Sequence, residues 1–334
     1  MTAPQCEVAV IVPVHNAAAF LPDCLRALAA QTFAGFCCIL VDDGSTDASA
    51  ALCDEAARCD GRFCALHQPQ SGVAAARTAG VRRALALGAR WLAFCDADDQ
   101  YHPAFLAALH AAARASGLPL ACCRYDTFAE APPAEAPAPQ SWQVLAAPQH
   151  LDALLHDHAV DYGLWNKLYS AALLTPAMLD NGLAYNEDLL ANWQAFLAAP
   201  GCAFCDFAGY HYRQHAASAT HRALPPQSID DQRRAAALIR AGVPAQWPAL
   251  QQSANAFYYE KLVYLASMIL RRADAGAYRA QLGELTIGIA AGLRDRQLGR
   301  NPRLPRSIRL AAWATVHTPK LWQRVCRTFL KDRQ

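Results

Sequence analysis

Through its first 125 residues the chain alternates short apolar runs with longer stretches of helical period, and this alternation restricts the fold more than any other feature. Val8 to Val12, Cys37 to Val41, Phe63 to His67, Trp91 to Cys95 and Leu118 to Cys123 read as buried strands, because their apolar positions are near-continuous rather than alternating. Between them Leu21, Leu25 and Leu28 recur at helical spacing, with Pro22 tolerated in a first turn. Val73 to Leu87 is framed by Gly72 and Gly88, and a third helix begins near Pro103. This order predicts an α/β fold with a mostly parallel central sheet, whose ligands sit at the C-terminal strand ends.

Residues 131–139 hold four prolines and cannot continue a helix or central strand. A less regular half follows to about Arg222, and Pro225-Pro226 marks a second break. Beyond Asp230 the period is helical, with Tyr258, Leu262, Leu265 and Ile269 on one face. The expected organisation is therefore 1–222, split into halves 1–125 and 126–222, and a helical region 223–334. With 54% apolar and 17% charged residues, the chain can bury a large core, which excludes wholesale disorder and rod-like folds.

The formal net charge of +2 hides an asymmetry. Residues 294–334 carry eleven Arg or Lys against two acids, and the remainder has a net charge of −7. A basic tail on an acidic body calls for an anionic partner. No apolar run is long enough to span a bilayer. Glu7 interrupts the opening stretch, which therefore reads as a strand and not as a secretion signal. On that expectation of a cytosolic chain, the thirteen cysteines read as small buried hydrophobes, and Cys202-x-x-Cys205 lacks a second pair at zinc spacing.

Polar residues gather where the strands end: His15-Asn16 after the first, Asp42-Asp-Gly-Ser-Thr-Asp47 after the second, Asp96-Ala-Asp98-Asp99 after the fourth. Asp-Gly is ordinary turn chemistry, and Ser45, Thr46 or Asp47 can cap a helix. Asp96, Asp98 and Asp99 repel one another unless a cation lies among them, and hard divalent ions commonly bridge carboxylates to substrate phosphates.

These residues carry a resemblance. Val10-Ile-Val-Pro-Val-His-Asn16, Gln31-Thr32, the 41–47 segment, Ser71-Gly-Val-Ala-Ala-Ala-Arg77, Phe94 to Asp99, Trp165 to Tyr169, Asn186-Glu-Asp-Leu189 and Tyr212 to Ser218 occur in order. Together they resemble the family 2 glycosyltransferases with the GT-A fold, over residues 8 to about 222. The resemblance implies that Pro13, His15, Asn16, Asp42, Arg77, Asp96, Arg213 and Ser218 bind the nucleotide sugar, Arg77 by closing over it. It implies Asp98, Asp99 and His215 (His211 as substitute) as ligands of Mn²⁺ or Mg²⁺, and Trp165 and Lys167 on the acceptor side. Asp188 holds the family's base position, with Glu187 as the alternative.

The implied reaction is transfer from a nucleotide-diphospho-sugar, a UDP-sugar by expectation, to a hydroxyl of a glycan or lipid-linked acceptor in bacterial lipopolysaccharide, capsule or exopolysaccharide synthesis. Metal-assisted direct displacement would invert the anomeric centre. In the tail, Leu321, Trp322, Val325 and Phe329 can share one helical face, with Arg324, Arg327 and Lys331 elsewhere. Such a basic amphipathic helix suits an anionic inner-membrane surface, giving a cytoplasmic, peripheral enzyme. No recognised module accompanies the charge to support nucleic-acid binding. Two rivals remain: a non-catalytic nucleotide-sugar-binding or scaffold protein, and a phosphoryl-transfer enzyme using the Asp96-x-Asp98 loop, in which Gln100 stands where Thr or Val is wanted. A dehydrogenase is excluded, since no GxGxxG follows the first strand.

Overall fold

The computed structural model describes residues 6–133, 137, 141–156, 160–215 and 225–329. Most of the proline-rich stretch, Ser218 and Lys331 lie outside the described residues. The chain forms two compact units, Met1–Arg222 and Ala223–Gln334.

The first unit runs β1 (Val8–Val14), α1 (Leu21–Ala29), β2 (Phe36–Asp43), α2 (Ser49–Cys59), β3 (Phe63–Gln68), α3 (Val73–Ala86), β4 (Trp91–Phe94) and β5 (Gln100–Tyr101). It continues through α4 (Phe105–Ser116), β6 (Leu120–Phe128), β7 (Gln143–Ala146), α5 (Gln149–His156), β8 (Lys167–Ser170), α6 (Pro176–Leu179), α7 (Glu187–Ala198) and β9 (Gly201–Arg213). The sheet order is β3-β2-β1-β4-β8-β6-β9-β5, with β7 on β9. β1 to β4 pair in parallel, and β8 lies antiparallel to both β4 and β6. All five strands expected from the sequence are present.

The order places the site. The chain leaves β1 toward β2 and β3, then returns to β4 on the other side of β1. A crevice therefore opens at the carboxyl ends of β1 and β4. Val14 of β1 lies opposite Asp42, whereas β4 stops at Phe94 opposite Ile11, so the chain peels away at Cys95 just before the three aspartates. β1 is buried on both faces: Val8, Val10, Val12 and Val14 join Leu21, Cys24 and Leu28 in the core. Toward α3 the approach is so close that a Cβ on Gly80 would lie 2.4 Å from Ile11 Cγ2.

β9 was not legible from periodicity. Its thirteen residues include Asp206, His211 and Arg213, yet all but Asp206, Ala208 and Tyr212 are buried. Side-chain partners make this tolerable: His211 Nδ1 lies 2.7 Å from Asp126 Oδ1, and Arg213 Nη2 lies 2.7 Å from Asp23 Oδ2. The cysteine expectation needs one correction, because Cys6, just before β1, forms a disulfide with Cys37 of β2. The other described cysteines are free, most of them buried, and Cys202 Sγ lies 3.8 Å from Cys122 Sγ.

The second unit is helical: α8 (Pro226–Ala241), α9 (Pro248–Arg271), a 3₁₀ turn, α10 (Arg279–Arg294), α11 (Arg306–His317) and α12 (Pro319–Phe329). Leu262, Leu265 and Ile269 of α9 form its core with Leu285, Ile289 and Ala312. The expected apolar face of α12 is partly spent here. Trp322 packs against this core and Cys326 is fully buried, while Leu321 stays exposed. Arg327 is likewise engaged, donating to the carbonyls of Leu270 and Arg272 at the end of α9. Among the described residues no helix is long and apolar enough to cross a membrane.

Candidate active site

At the end of β1 the sequence builds a polar rim. Asn16 takes a left-handed backbone (φ 51°), which Asn tolerates better than most residues, and its Oδ1 accepts from the Thr46 amide at 2.8 Å. His15 Nδ1–H donates to the Asp43 carbonyl at 2.9 Å, so Nε2 is the acceptor for the side-chain amides of Asn16 and Gln70, each at 3.2 Å. One tautomer is thereby fixed, and the exposed ring stands beside half-buried Pro13. Asp42 is buried next to it. Burial opposes its ionisation, but hydrogen bonds from Ser45 and His67 outweigh that and lower its pKa. Asp43 faces the other way and spends both oxygens on the start of α3, accepting from the amides of Ser71 and Gly72 at 2.8 Å each.

Beside this rim lies one buried cation among three carboxylates. Arg77, on α3, donates Nη2 to Asp96 Oδ1 at 2.9 Å and Nη1 to Glu187 Oε1 at 3.1 Å. Burial disfavours the charge on Arg77, yet Asp96, Glu187 and Asp188 together raise its pKa above the ordinary value. The converse holds for the acids. Burial and Asp188 push Glu187 up to about 7 in spite of Arg77, and burial raises Asp188 as well. Glu187 is committed to Arg77, whereas Asp188 accepts the adjacent Leu189 amide at 2.7 Å and is half-buried, which leaves it the freer base. Both sit at the first turn of α7, where the helix dipole favours carboxylates. The expectation that Arg77 closes over the nucleotide is thus modified: it is buried and ties Asp96 to the helix carrying Asp188.

The three aspartates after β4 separate into distinct environments. Asp98 Oδ2 lies 2.9 Å from His215 Nε2, and burial followed by repulsion from Asp96 raises its pKa. Asp99 turns inward. Its oxygens accept from Tyr210 Oη at 2.6 Å and the Arg213 amide at 2.7 Å, and burial with Asp96 and Asp98 pushes it up to about 8. No group of three or more His, Cys, Asp or Glu among the described residues is arranged to hold a metal. Asp98 and His215 nevertheless make a two-donor set of carboxylate oxygen and imidazole nitrogen beside Asp96, whose charge acts on Asp98. Mg²⁺-like ions are commonly held by one or two carboxylates plus substrate phosphates, so the residues fit.

Several expected contacts are spent inside the protein. Arg213 donates Nε to the Asp98 carbonyl at 3.0 Å, pairs with Asp23 and lies over the rings of Phe20 and Phe128, so in this structure it braces the aspartate turn. Lys167 is fully buried, with Nζ donating to Asp161 O, Gly163 O and Asn166 Oδ1, and cannot meet an acceptor. Trp165 is stacked on Tyr210 at 4.4 Å and belongs to the core. His211 is held by Asp126. Ser218 lies outside the described residues. Sequence reasoning missed Tyr210, which receives the Asp96 amide at 3.2 Å and so links two of the aspartates. It also missed His67, the neighbour of Asp42. Neither lies within a strand-end cluster, and only the strand pairing brings them there.

The profile of Glycosyl transferase family 2 matches residues 9–174. The glycosyltransferase EpsJ of Bacillus subtilis is 29% identical over 224 residues, covering 66% of this chain and 64% of EpsJ, so the match spans less than two thirds of that relative. Glycosyltransferase GlyA of Streptococcus pneumoniae is 36% identical over 93 residues, 28% of this chain and 13% of GlyA. Among solved structures, S. aureus TarS 1-349 in complex with UDP-GlcNAc superposes with a TM-score of 0.71 at 17% identity, over 97% of this chain and 91% of that one. The Pyrobaculum calidifontis mannosyltransferase PcManGT, in complex with GDP-Man and Mn²⁺, gives 0.51 at 16% identity over 98% and 88%. These likenesses share the GT-A-type fold, and the sequence match makes the phosphoryl-transfer reading untenable: the chain belongs to glycosyl transferase family 2.

Proposed function

We propose that the protein transfers a sugar from a nucleotide-diphospho-sugar, a UDP-sugar in our reading, to a hydroxyl of a glycan or lipid-linked acceptor in bacterial surface-polysaccharide synthesis, inverting the anomeric centre. The observation that carries this is the buried Arg77–Asp96–Glu187 bridge at the C-terminal mouth of the sheet, with Asp188 beside it and the Asp98–His215 pair nearby. TarS binding UDP-GlcNAc and PcManGT binding GDP-Man with Mn²⁺ on this fold support the donor class.

His15, Pro13 and Asp42 form the rim that takes the base, Asp42 as acceptor for a base N–H. Asp98 and His215 would hold Mn²⁺ or Mg²⁺, which supplies neutralisation of the departing diphosphate. Asp188 removes the acceptor proton, and its raised pKa brings it closer to the range where a base is both free and strong. Glu187 keeps Arg77 in place, and Arg77 holds the donor side and the base side at a fixed separation. Release of UDP from a panel of UDP-sugars, dependent on a glycan acceptor, tests the reading, and nuclear magnetic resonance of the product reads the anomeric configuration. A retained α-linkage from an α-linked donor would exclude direct displacement by the acceptor hydroxyl with Asp188 as its base.

The same proposal places the second unit against an anionic inner-leaflet surface. Leu310, Trp313 and Leu321 are exposed, as are Arg306, Lys320 and Arg324 in the same segment. Exposed aromatic and aliphatic groups among cations suit the interface of an anionic bilayer. Phosphatidylglycerol vesicles are expected to sediment the protein at low salt and to release it at high salt. The pair Leu310→Glu and Trp313→Glu should abolish sedimentation, and undiminished binding by that variant would remove this face from the account.

A further inference from the structure

His67 is the fifth residue of β3, and the parallel register sets it opposite Asp42 of β2. Its ring is nearly half exposed, at 43% of the side chain, whereas the Asp42 side chain is only 6% exposed. Both ring nitrogens end on carboxylates. Nδ1 lies 3.1 Å from Asp42 Oδ2, and Nε2 lies 3.0 Å from Asp54 Oδ1 on α2. A neutral imidazole donates from one nitrogen only, so the other would turn a lone pair toward a carboxylate. The imidazolium satisfies both sides. Asp42 is then held from two directions, because its Oδ1 also accepts the Ser45 amide at 3.2 Å.

We propose that His67 is a positioning residue for the donor base: bridged to Asp54, it holds the Asp42 carboxylate in the orientation that meets a base N–H, and nucleotide affinity falls when the bridge is removed or loses its proton. The inference rests on the reading of Asp42 given above. Hydrogen bonds donated to Asp42 and then Asp54 raise the His67 pKa above its ordinary value, in agreement with the geometry. The charged neighbours acting on the ring are Asp42 from β2 and Asp54 from α2. Cys53 of α2 lies beside Asp42 and is pushed up to about 12 by burial, so it stays neutral across the range considered. The sign follows. The bridge is complete below the folded-state pKa of His67 and is lost as pH rises through it.

A plain strut tying α2 to the sheet would alter stability but leave nucleotide affinity alone, and this separates the two roles. Calorimetric titration of the full-length protein with UDP, at fixed Mn²⁺ and at pH 6 and pH 8, is the test, with melting temperature measured in parallel. His67→Leu is expected to weaken UDP about tenfold at pH 6 while kcat at saturating donor changes little, and His67→Gln, which keeps one donor, should recover part of the loss. Wild-type affinity should decline between pH 6 and pH 8 more steeply than that of His67→Gln. Asp54→Asn, a change at an exposed side chain, should move that decline to lower pH. Wild-type UDP affinity in both Asp54→Asn and a folded His67→Leu, with only the melting temperature altered, would overturn the proposal. Failure of the wild type itself to bind UDP would overturn the reading of the whole site.

Discussion

Asp188→Asn is expected to lower kcat by about 10²–10⁴-fold while leaving donor affinity nearly unchanged. The carboxamide keeps the size and the hydrogen bond to the Leu189 amide but cannot take a proton. Its neighbour cannot substitute, since Glu187 Oε1 is engaged by Arg77. The pH dependence has a defined sign. Burial raises both carboxyl groups, and the base must be ionised to act, so wild-type activity is present above the raised pKa values and lost as pH falls through them. The acid limb should therefore lie above the ordinary carboxylate range. A loss of donor binding equal to the loss of rate would make Asp188 a structural residue instead.

Arg77→Leu is expected to be the most damaging single change to stability. It leaves Asp96, Glu187 and Asp188 near one another without the cation that Asp96 and Glu187 contact directly. Removing one partner of a buried ion pair costs about 3–5 kcal/mol, which in a domain of this size lowers the melting temperature by roughly 6–20 °C. The deficit should shrink toward pH 5, because protonation of Glu187, whose pKa is pushed up to about 7, removes part of the repulsion that Arg77 offsets. Arg77→Lys should restore part of the stability by keeping the charge without the fork. A deficit independent of pH would mean that lost packing, not charge, is the cause.

Residues at the ends of β1, β2 and β4 were legible because the sheet topology itself sends those positions to the crevice. Val14 opposite Asp42, and β4 ending opposite Ile11, are consequences of a strand pattern already visible in the alternation of apolar runs. The limits were physical as well. Arg213 and Lys167 stand within motifs and look like ligand contacts, but a long cation can be buried if its donors are satisfied, and only the folded chain supplies Asp23 or the Asp161 and Gly163 carbonyls. Asp98 and Asp99 are adjacent, and nothing in their spacing tells which one turns inward to Tyr210. β9 escaped for the same reason, its polar residues being paid for by partners far away in sequence. His67 reads as the end of a strand until the register puts it beside Asp42.

The central claim is metal-assisted binding of a nucleotide sugar at the Asp98 side of the crevice, and calorimetric titration of UDP-sugars with and without Mn²⁺, on wild type and Asp98→Asn, tests it most directly. The account predicts that one UDP-sugar binds the wild type with Mn²⁺ present, that omission of the metal weakens it, and that Asp98→Asn binds poorly even with Mn²⁺. Equal affinity in all of these conditions would contradict a metal role for Asp98. Absence of binding by every donor to a folded wild type would contradict the transferase itself and leave a non-catalytic scaffold on this fold.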